Sequence, residues 1–210
     1  MSLETIKQQT RAMLQLQDDM NSKVHPAWRE QGNAWYRAIW IECGELMDHF
    51  GWKWWKHQTP DTEQVALELI DIWHFGLSIL LESGASVDDI AEKVAHELDI
   101  TTDQPDFRVD VEAFTAATLN DQGFHLELFG RLMAGVNMSY AELYRRYVGK
   151  NVLNFFRQDH GYKDGSYRKI WADGREDNEH LVETVQTLDA GADDFAKALY
   201  QALAERYAQA

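Results

Sequence analysis

The sequence predicts an all-α protein, and three observations carry that prediction. Apolar residues recur at helical spacing along almost the whole chain. No run sustains the alternation of a half-buried strand. Only three prolines interrupt 210 residues, so little in the backbone opposes long helices.

A first helix is predicted over residues 3–20, with Ile6, Met13, Leu14, Leu16 and Met20 on its apolar face. A loop containing Pro26 follows. A second helix is predicted from Asn33 to His49, stopping near Gly51. The stretch Trp52–Pro60 reads as irregular. Asp61 followed by Gln64 resembles a capping box and opens a third helix that continues to Glu82. Gly84 closes that helix, and Ser86 or Val87 begins a short fourth. Residues 99–110 read as a loop, followed by helical patterns at 111–120, 122–135 and 139–157. The segment GYKDGSYRKIWADGREDN, rich in Gly and Asp, reads as a loop. A last helix is predicted over 179–208. No repeat at a solenoid period and no low-complexity tract is present, and the length suits a single domain over residues 1–210.

With 45% hydrophobic and 12% aromatic residues the chain can bury a sizeable core. Four of its eight tryptophans (Trp40, Trp52, Trp54 and Trp55) fall within sixteen residues. The single cysteine, Cys43, excludes an internal disulfide and suits a reducing compartment. The N-terminal residues lack the apolar core of a signal peptide, and no uninterrupted apolar run approaches about 18 residues. The expectation is a soluble cytoplasmic protein without a membrane partner. A formal net charge of −15 argues against a nucleic-acid-binding surface. The charge is uneven: residues 82–127 hold twelve acids against two basic residues, whereas residues 141–175 hold eight Lys or Arg against four acids. A basic segment in an acidic chain is a candidate site for a small anion, although a solvated basic helix face has the same composition.

Two carboxylate pairs, Glu42-x-x-Glu45 and Glu68-x-x-Asp71, concentrate the chemistry. An i,i+3 pair spans about 60° of a helix, and both pairs are predicted on apolar faces. Trp35, Ala38, Ile39 and Leu46 build the first face; Val65, Ile72, Phe75 and Ile79 build the second. Four carboxylates directed into a core repel one another unless a positive charge neutralises them. Hard divalent cations do so through oxygen ligands. One or two Mg²⁺ ions would polarise a phosphoryl group and yield hydroxide at neutral pH, with a carboxylate accepting the proton of the attacking water. Zinc fits less well, because Cys43 is alone and neither His49 nor His74 has a second partner at ligand spacing. His74 reads as a core residue or as one that supports a ligand.

Lys150, Asn154 and Arg157 are spaced i, i+4, i+7 and share one helix face. The two cations suit a phosphate chain, Arg as a bidentate fork, and the amide between them suits a base edge carrying both a donor and an acceptor. Gln17 and Asn21 form a second i,i+4 amide pair. Trp52-Lys53-Trp54-Trp55-Lys56 offers stacking surface and charge, or simply packing area. Lys163, Tyr167 and Lys169 lie in the Gly-containing loop, followed by Glu176, Asp177 and Asn178, and make that loop a candidate lid.

The segments E42CGEL, W52KWWK, E68LIDIWHF and Y147VGKNVLNFFRQDHGYKDGSYRKIW with E176DN resemble the dimeric all-α dUTPases. These belong to the wider MazG-like and dCTPase-related group of nucleotide pyrophosphohydrolases. Leu16–Asn21 and Trp28 fit the family's N-terminal portion, and the similarity is weakest over residues 83–140, expected to be a variable, mobile helical insertion. The resemblance implies a helical bundle that hydrolyses dUTP to dUMP and pyrophosphate by attack of water on the α-phosphorus, with dUDP as a further substrate. It implies two or more Mg²⁺ ions at Glu42, Glu45, Glu68 and Asp71, with Glu45 activating the water. Lys150 and Arg157 would hold phosphates, aided by Lys163 and Lys169. Asn154, Gln17 and Asn21 would read uracil, and Trp55 and Tyr167 would enclose the nucleotide. A homodimer with a site completed across its interface is also implied. The nearest rival is a related enzyme acting on dCTP or another pyrimidine nucleotide, since an Asn or Gln amide can turn to suit either base edge. A rival of another class is a non-catalytic helical interaction protein that retains a metal site.

Overall fold

Residues 2–188 and 194–208 are described by a computed structural model, and all regular structure among them is helical. An isolated bridge between Ile170 and Glu176 is the nearest approach to a strand among the described residues. The chain divides into two compact units, Met1–Tyr144 and Arg145–Ala210.

Unit 1 is organised around α3 (Thr62–Glu82), which is buried on nearly all sides. Asp61 caps its N-terminus by accepting from the Gln64 amide at 3.2 Å. By length and composition α3 could cross a membrane, but 78% of that stretch is buried inside the protein, as in the core helix of a globular unit. α1 (Leu3–Val24) and α2 (Trp35–Phe50) pack along it. α4 (Val87–Glu97) lies against α1, and its N-cap Ser86 accepts from the Asp89 amide at 3.1 Å. α5 (Phe107–Asp121) packs on α2 and on α6 (Leu126–Gly135). An aromatic cluster ties these helices to the core: Trp73 of α3 lies 5.2 Å from Phe129 and 5.8 Å from Phe124, and Phe114 joins both. Burying each such ring stabilises the unit by about 2–3 kcal/mol.

Residues 83–140, the least patterned part of the sequence, are therefore built tightly into unit 1. Gly130 illustrates how tightly. A Cβ at this position would overlap the backbone carbonyl of Asp99, which has no rotamer with which to move aside. Gly130→Ala is expected to lower the urea stability of the protein by about 1–3 kcal/mol, the cost of overpacking. An unchanged midpoint would show that the 98–106 segment yields freely.

Unit 2 contains α7 from Arg145 onward (the whole helix is Tyr140–Asp159), the loop after it, α8 (Asp177–Thr187) and α9 (Phe195–Ala208). Its core is aromatic. Phe156 meets Tyr200 and Tyr207, each at 5.4 Å, and Trp171 stacks on His180 at 4.2 Å. The loop turns back on itself at Gly161, whose φ of +90° favours glycine.

Several boundaries differ from the sequence reading. α5 begins at Phe107 rather than 111, because Asp106 caps it through the Arg108 amide at 3.1 Å within what read as loop. α1 extends to Val24, and a 3-10 turn, Trp28–Glu30, forms within the Pro26 loop. The single helix expected over 179–208 is two helices: Leu188 turns extended (φ −112°, ψ 151°) and ends α8, and α9 starts at Phe195. Residues 189–193 of that expectation lie outside the described residues.

Candidate active site

Adjacent helices α2 and α3 bring three carboxylates together in unit 1. Glu42, Glu68 and Asp71 each offer an oxygen, and these oxygens lie within 4.8 Å of one another. Glu68 is buried; Glu42 and Asp71 are half-buried. The Glu42 carboxyl is pushed up to about 8, first by burial and then by the negative charges of Asp71, Glu68 and Glu45. It hydrogen-bonds to Glu68, whose Oε1 also lies 3.5 Å from Nε2 of His49. This is a cluster of three neighbouring carboxyl groups. An all-oxygen donor set of this kind could hold a hard divalent cation. Cys43, next in sequence, is turned towards α5, where it hydrogen-bonds to Thr115, and burial pushes its thiol up to about 11.

Glu45 does not join this group. It is exposed, although its charge still acts on Glu42. The expectation that both members of each pair face the core thus holds for the α3 pair and for Glu42, but not for Glu45.

On the same side of α3 the structure assembles a polar network that spacing alone did not reveal. Gln17 and Asn21 of α1 are buried against Ser78 and His74 of α3. Gln17 Nε2 donates to Asn21 Oδ1 at 3.0 Å and to Ser78 Oγ at 3.2 Å. Asn21 Nδ2 donates to Ser78 Oγ at 3.0 Å, and Ser78 donates to the His74 carbonyl at 3.1 Å. His74 Nδ1 lies 2.7 Å from Gln17 Oε1. His74, read from the sequence as a core residue or one that supports a ligand, is buried against the Gln17 amide, and Ser78 was missed. A signal was available: Glu68, Asp71, His74 and Ser78 form one polar stripe, about 120° wide, on an otherwise apolar helix.

The basic face of α7 belongs to unit 2 and is turned to the first residues of α8. Lys150, buried, donates to Asn178 Oδ1 at 3.2 Å. Arg157 donates through Nε and Nη2 to the two oxygens of Asp177, each at 2.8 Å. Its third nitrogen, Nη1, lies 3.4 Å from Asn154 Oδ1. The fork read as a phosphate clamp is therefore engaged by Asp177. The Tyr167 hydroxyl donates to the same carboxylate at 2.8 Å, and burial together with Asp177 pushes its phenol up. Burial works to raise the pKa of Asp177, but the Arg157 guanidinium outweighs it and holds the carboxyl below its ordinary value. Asp177 and Asn178 are the residues that the sequence reading placed after the loop without a role. Lys163 is exposed, and Lys169, also exposed, lies 3.5 Å from Glu176.

Trp55, 56% exposed, packs edge-on against Trp52 and Trp54, while Trp54 is 89% exposed. The segment is consequently a surface cluster rather than core.

No curated protein matches the chain significantly. A family model described as dUTPase matches residues 9–162, roughly three quarters of the sequence. The match spans the amide pair of α1, both carboxylate pairs and the basic face of α7. With that coverage, and with an all-helical fold that brings the acidic residues of α2 and α3 together, the chain belongs to the all-α dUTPase family.

Proposed function

We propose that this protein is a Mg²⁺-dependent pyrophosphohydrolase that converts dUTP to dUMP and pyrophosphate, with dUDP as a further substrate. The observation that carries the proposal is the convergence of Glu42, Glu68 and Asp71 within 4.8 Å, with the buried network that the α1 amides form with His74 and Ser78 further along α3. When bound there, Mg²⁺ would neutralise the carboxylates, polarise the phosphoryl oxygens and acidify water.

The protein's own residues divide the remaining work. Glu42, Glu68 and Asp71 hold the cation, with Glu45 as a further ligand. Glu45, exposed and one helical turn from Glu42, also accepts the proton of the attacking water. Gln17 and Asn21 present amide groups to the base, and Asn154 supplies a third. Lys150 and Arg157 hold phosphate oxygens; Lys163 and Lys169 add positive charge. Trp55 and Tyr167 enclose the nucleotide. The roles given to residues of unit 2, and a homodimer whose partner helps complete the site, rest on the motif resemblance.

Pyrophosphate release from dUTP, dCTP, dTTP and UTP, with Mg²⁺ and with a chelator, tests the reading. The expected result is Mg²⁺-dependent turnover with strong preference for dUTP. Preference for dCTP would replace the substrate and keep the mechanism. Failure to turn over any of the four would overturn the enzymatic reading.

A further inference from the structure

We propose that Ser78 is a specificity-determining positioning residue, which locks the Gln17 and Asn21 amides in one orientation and so fixes the donor–acceptor order offered to a nucleobase. The inference rests on the reading of these amides as base-facing.

Ser78 is fully buried, so water does not compete for its hydroxyl. A hydroxyl has one proton to donate and two lone pairs to accept with. The proton is directed to the His74 carbonyl at 3.1 Å, which leaves Oγ as an acceptor for Gln17 Nε2 at 3.2 Å and Asn21 Nδ2 at 3.0 Å. Two amides therefore meet one acceptor, and both must turn nitrogen towards it.

Each alternative arrangement brings like groups together. Turning Gln17 alone would place its Oε1 against both Ser78 Oγ and Asn21 Oδ1, where Nε2 now donates. Turning Asn21 alone would set Nδ2 against the Gln17 Nε2 it now accepts from. Turning both would aim two carbonyl oxygens at a hydroxyl with one proton. His74 Nδ1 lies 2.7 Å from Gln17 Oε1, and in the tautomer that carries its proton on Nδ1 it donates there and secures the same orientation from the other side. Desolvation makes these mismatches expensive, because all four side chains are buried.

The consequence is chemical selectivity. The 4-position of uracil is an acceptor beside an N–H, whereas that of cytosine is a donor beside an acceptor nitrogen. An amide free to turn suits either edge, but a locked one suits only one of them. Ser78 thus converts a base-tolerant pair into a base-selective one without touching the base.

The test compares Ser78→Ala, Ser78→Cys and Ser78→Thr. Cysteine keeps nearly the same volume with a weak acceptor, and threonine keeps the hydroxyl. For each, kcat/KM is measured with dUTP and with dCTP, and the side-chain amide signals of Gln17 and Asn21 are followed by ¹⁵N NMR in the ligand-free protein. The expected result is a fall in the dUTP/dCTP ratio on the order of tenfold or more for Ala and Cys. It should be accompanied by faster amide-proton exchange at Gln17 and Asn21, with both properties restored by Thr. Parallel loss with both substrates at an unchanged ratio would overturn the role of Ser78 and leave the dUTPase reading standing. Wild-type protein inactive on both nucleotides would overturn the substrate reading and the selectivity role together. Amide protons that exchange at wild-type rates in Ser78→Ala would overturn the lock itself, whatever the activity.

Discussion

Glu42→Gln is expected to reduce Mg²⁺-dependent turnover by roughly 10²–10³-fold or more, the scale on which losing a preorganised electrostatic group acts, while leaving the metal-free fold intact. Glu42 shares its oxygen cluster with Glu68 and Asp71. Burial and those neighbours already hold its proton up to a pKa of about 8, so a neutral amide of the same shape resembles the side chain of the metal-free protein at neutral pH. The substitution removes a formal negative charge that a cation would engage and disturbs little else. The sign of the pH dependence follows. Glu42 binds its proton more tightly in the folded chain, at about 8, than at the ordinary value of 4.5, so the folded state holds more protons across that interval. Stability contributed by this group is therefore present below about pH 4.5 and lost as the pH rises towards 8. In chelator, the wild-type urea midpoint should fall over that window relative to Glu42→Gln. Full activity in Glu42→Gln would sink the metal assignment. An unfolded variant would show instead that the carboxylate is structural.

Much of unit 1 was legible in the sequence because helix phase and capping chemistry are local. Asp61 and Ser86 cap the helices they precede, and Glu68 and Asp71 lie on the face that periodicity assigned them. Phase alone failed where a pair straddles the edge of a face. Glu42 and Glu45 are about 60° apart, and only the packing of α2 against α3 decides that the first is half-buried and the second exposed. Ser78 carries no local message, since its meaning arises from two amides that lie 57 and 61 residues away in sequence. Asp106 and Asp177 were hidden for another reason. Asp106 caps α5, and Asp177 is the first residue of α8 behind its cap Glu176; both end a stretch rich in turn-forming residues, where an acid reads equally as loop or as helix start. The break after Thr187 was obscured because apolar spacing resumes beyond it with little change of phase.

Asp177→Asn is expected to cost about 3 kcal/mol of stability. The Asp177 side chain is 0% exposed and that of Arg157 is 12% exposed, so the pair is nearly dehydrated. The carboxylate accepts both nitrogens of the guanidinium fork and the Tyr167 hydroxyl. The positive charge of Lys150 also acts on it. An asparagine would retain the volume but turn an NH₂ towards at least one of these donors, and Arg157 would lose its carboxylate partner in a setting that water hardly reaches. The cost is thus desolvated charge rather than lost contact area. A double-mutant cycle separates the two: Arg157→Met combined with Asp177→Asn should destabilise less than the sum of the single changes, because the second substitution removes the charge that the first stranded. Additive losses would mean that the two residues act independently. The pH dependence provides a second check. Asp177 titrates below its ordinary value because of Arg157, so its contribution is present above the unfolded carboxyl range, about pH 4, and is lost as the pH falls through the lower folded value. Below that point the wild type and Asp177→Asn should converge in urea stability, whereas at neutral pH they should differ by the full cost of the pair. A persistent difference in acid would show that the geometry of the Tyr167 and Arg157 contacts, rather than the charge of Asp177, holds this part of unit 2 together.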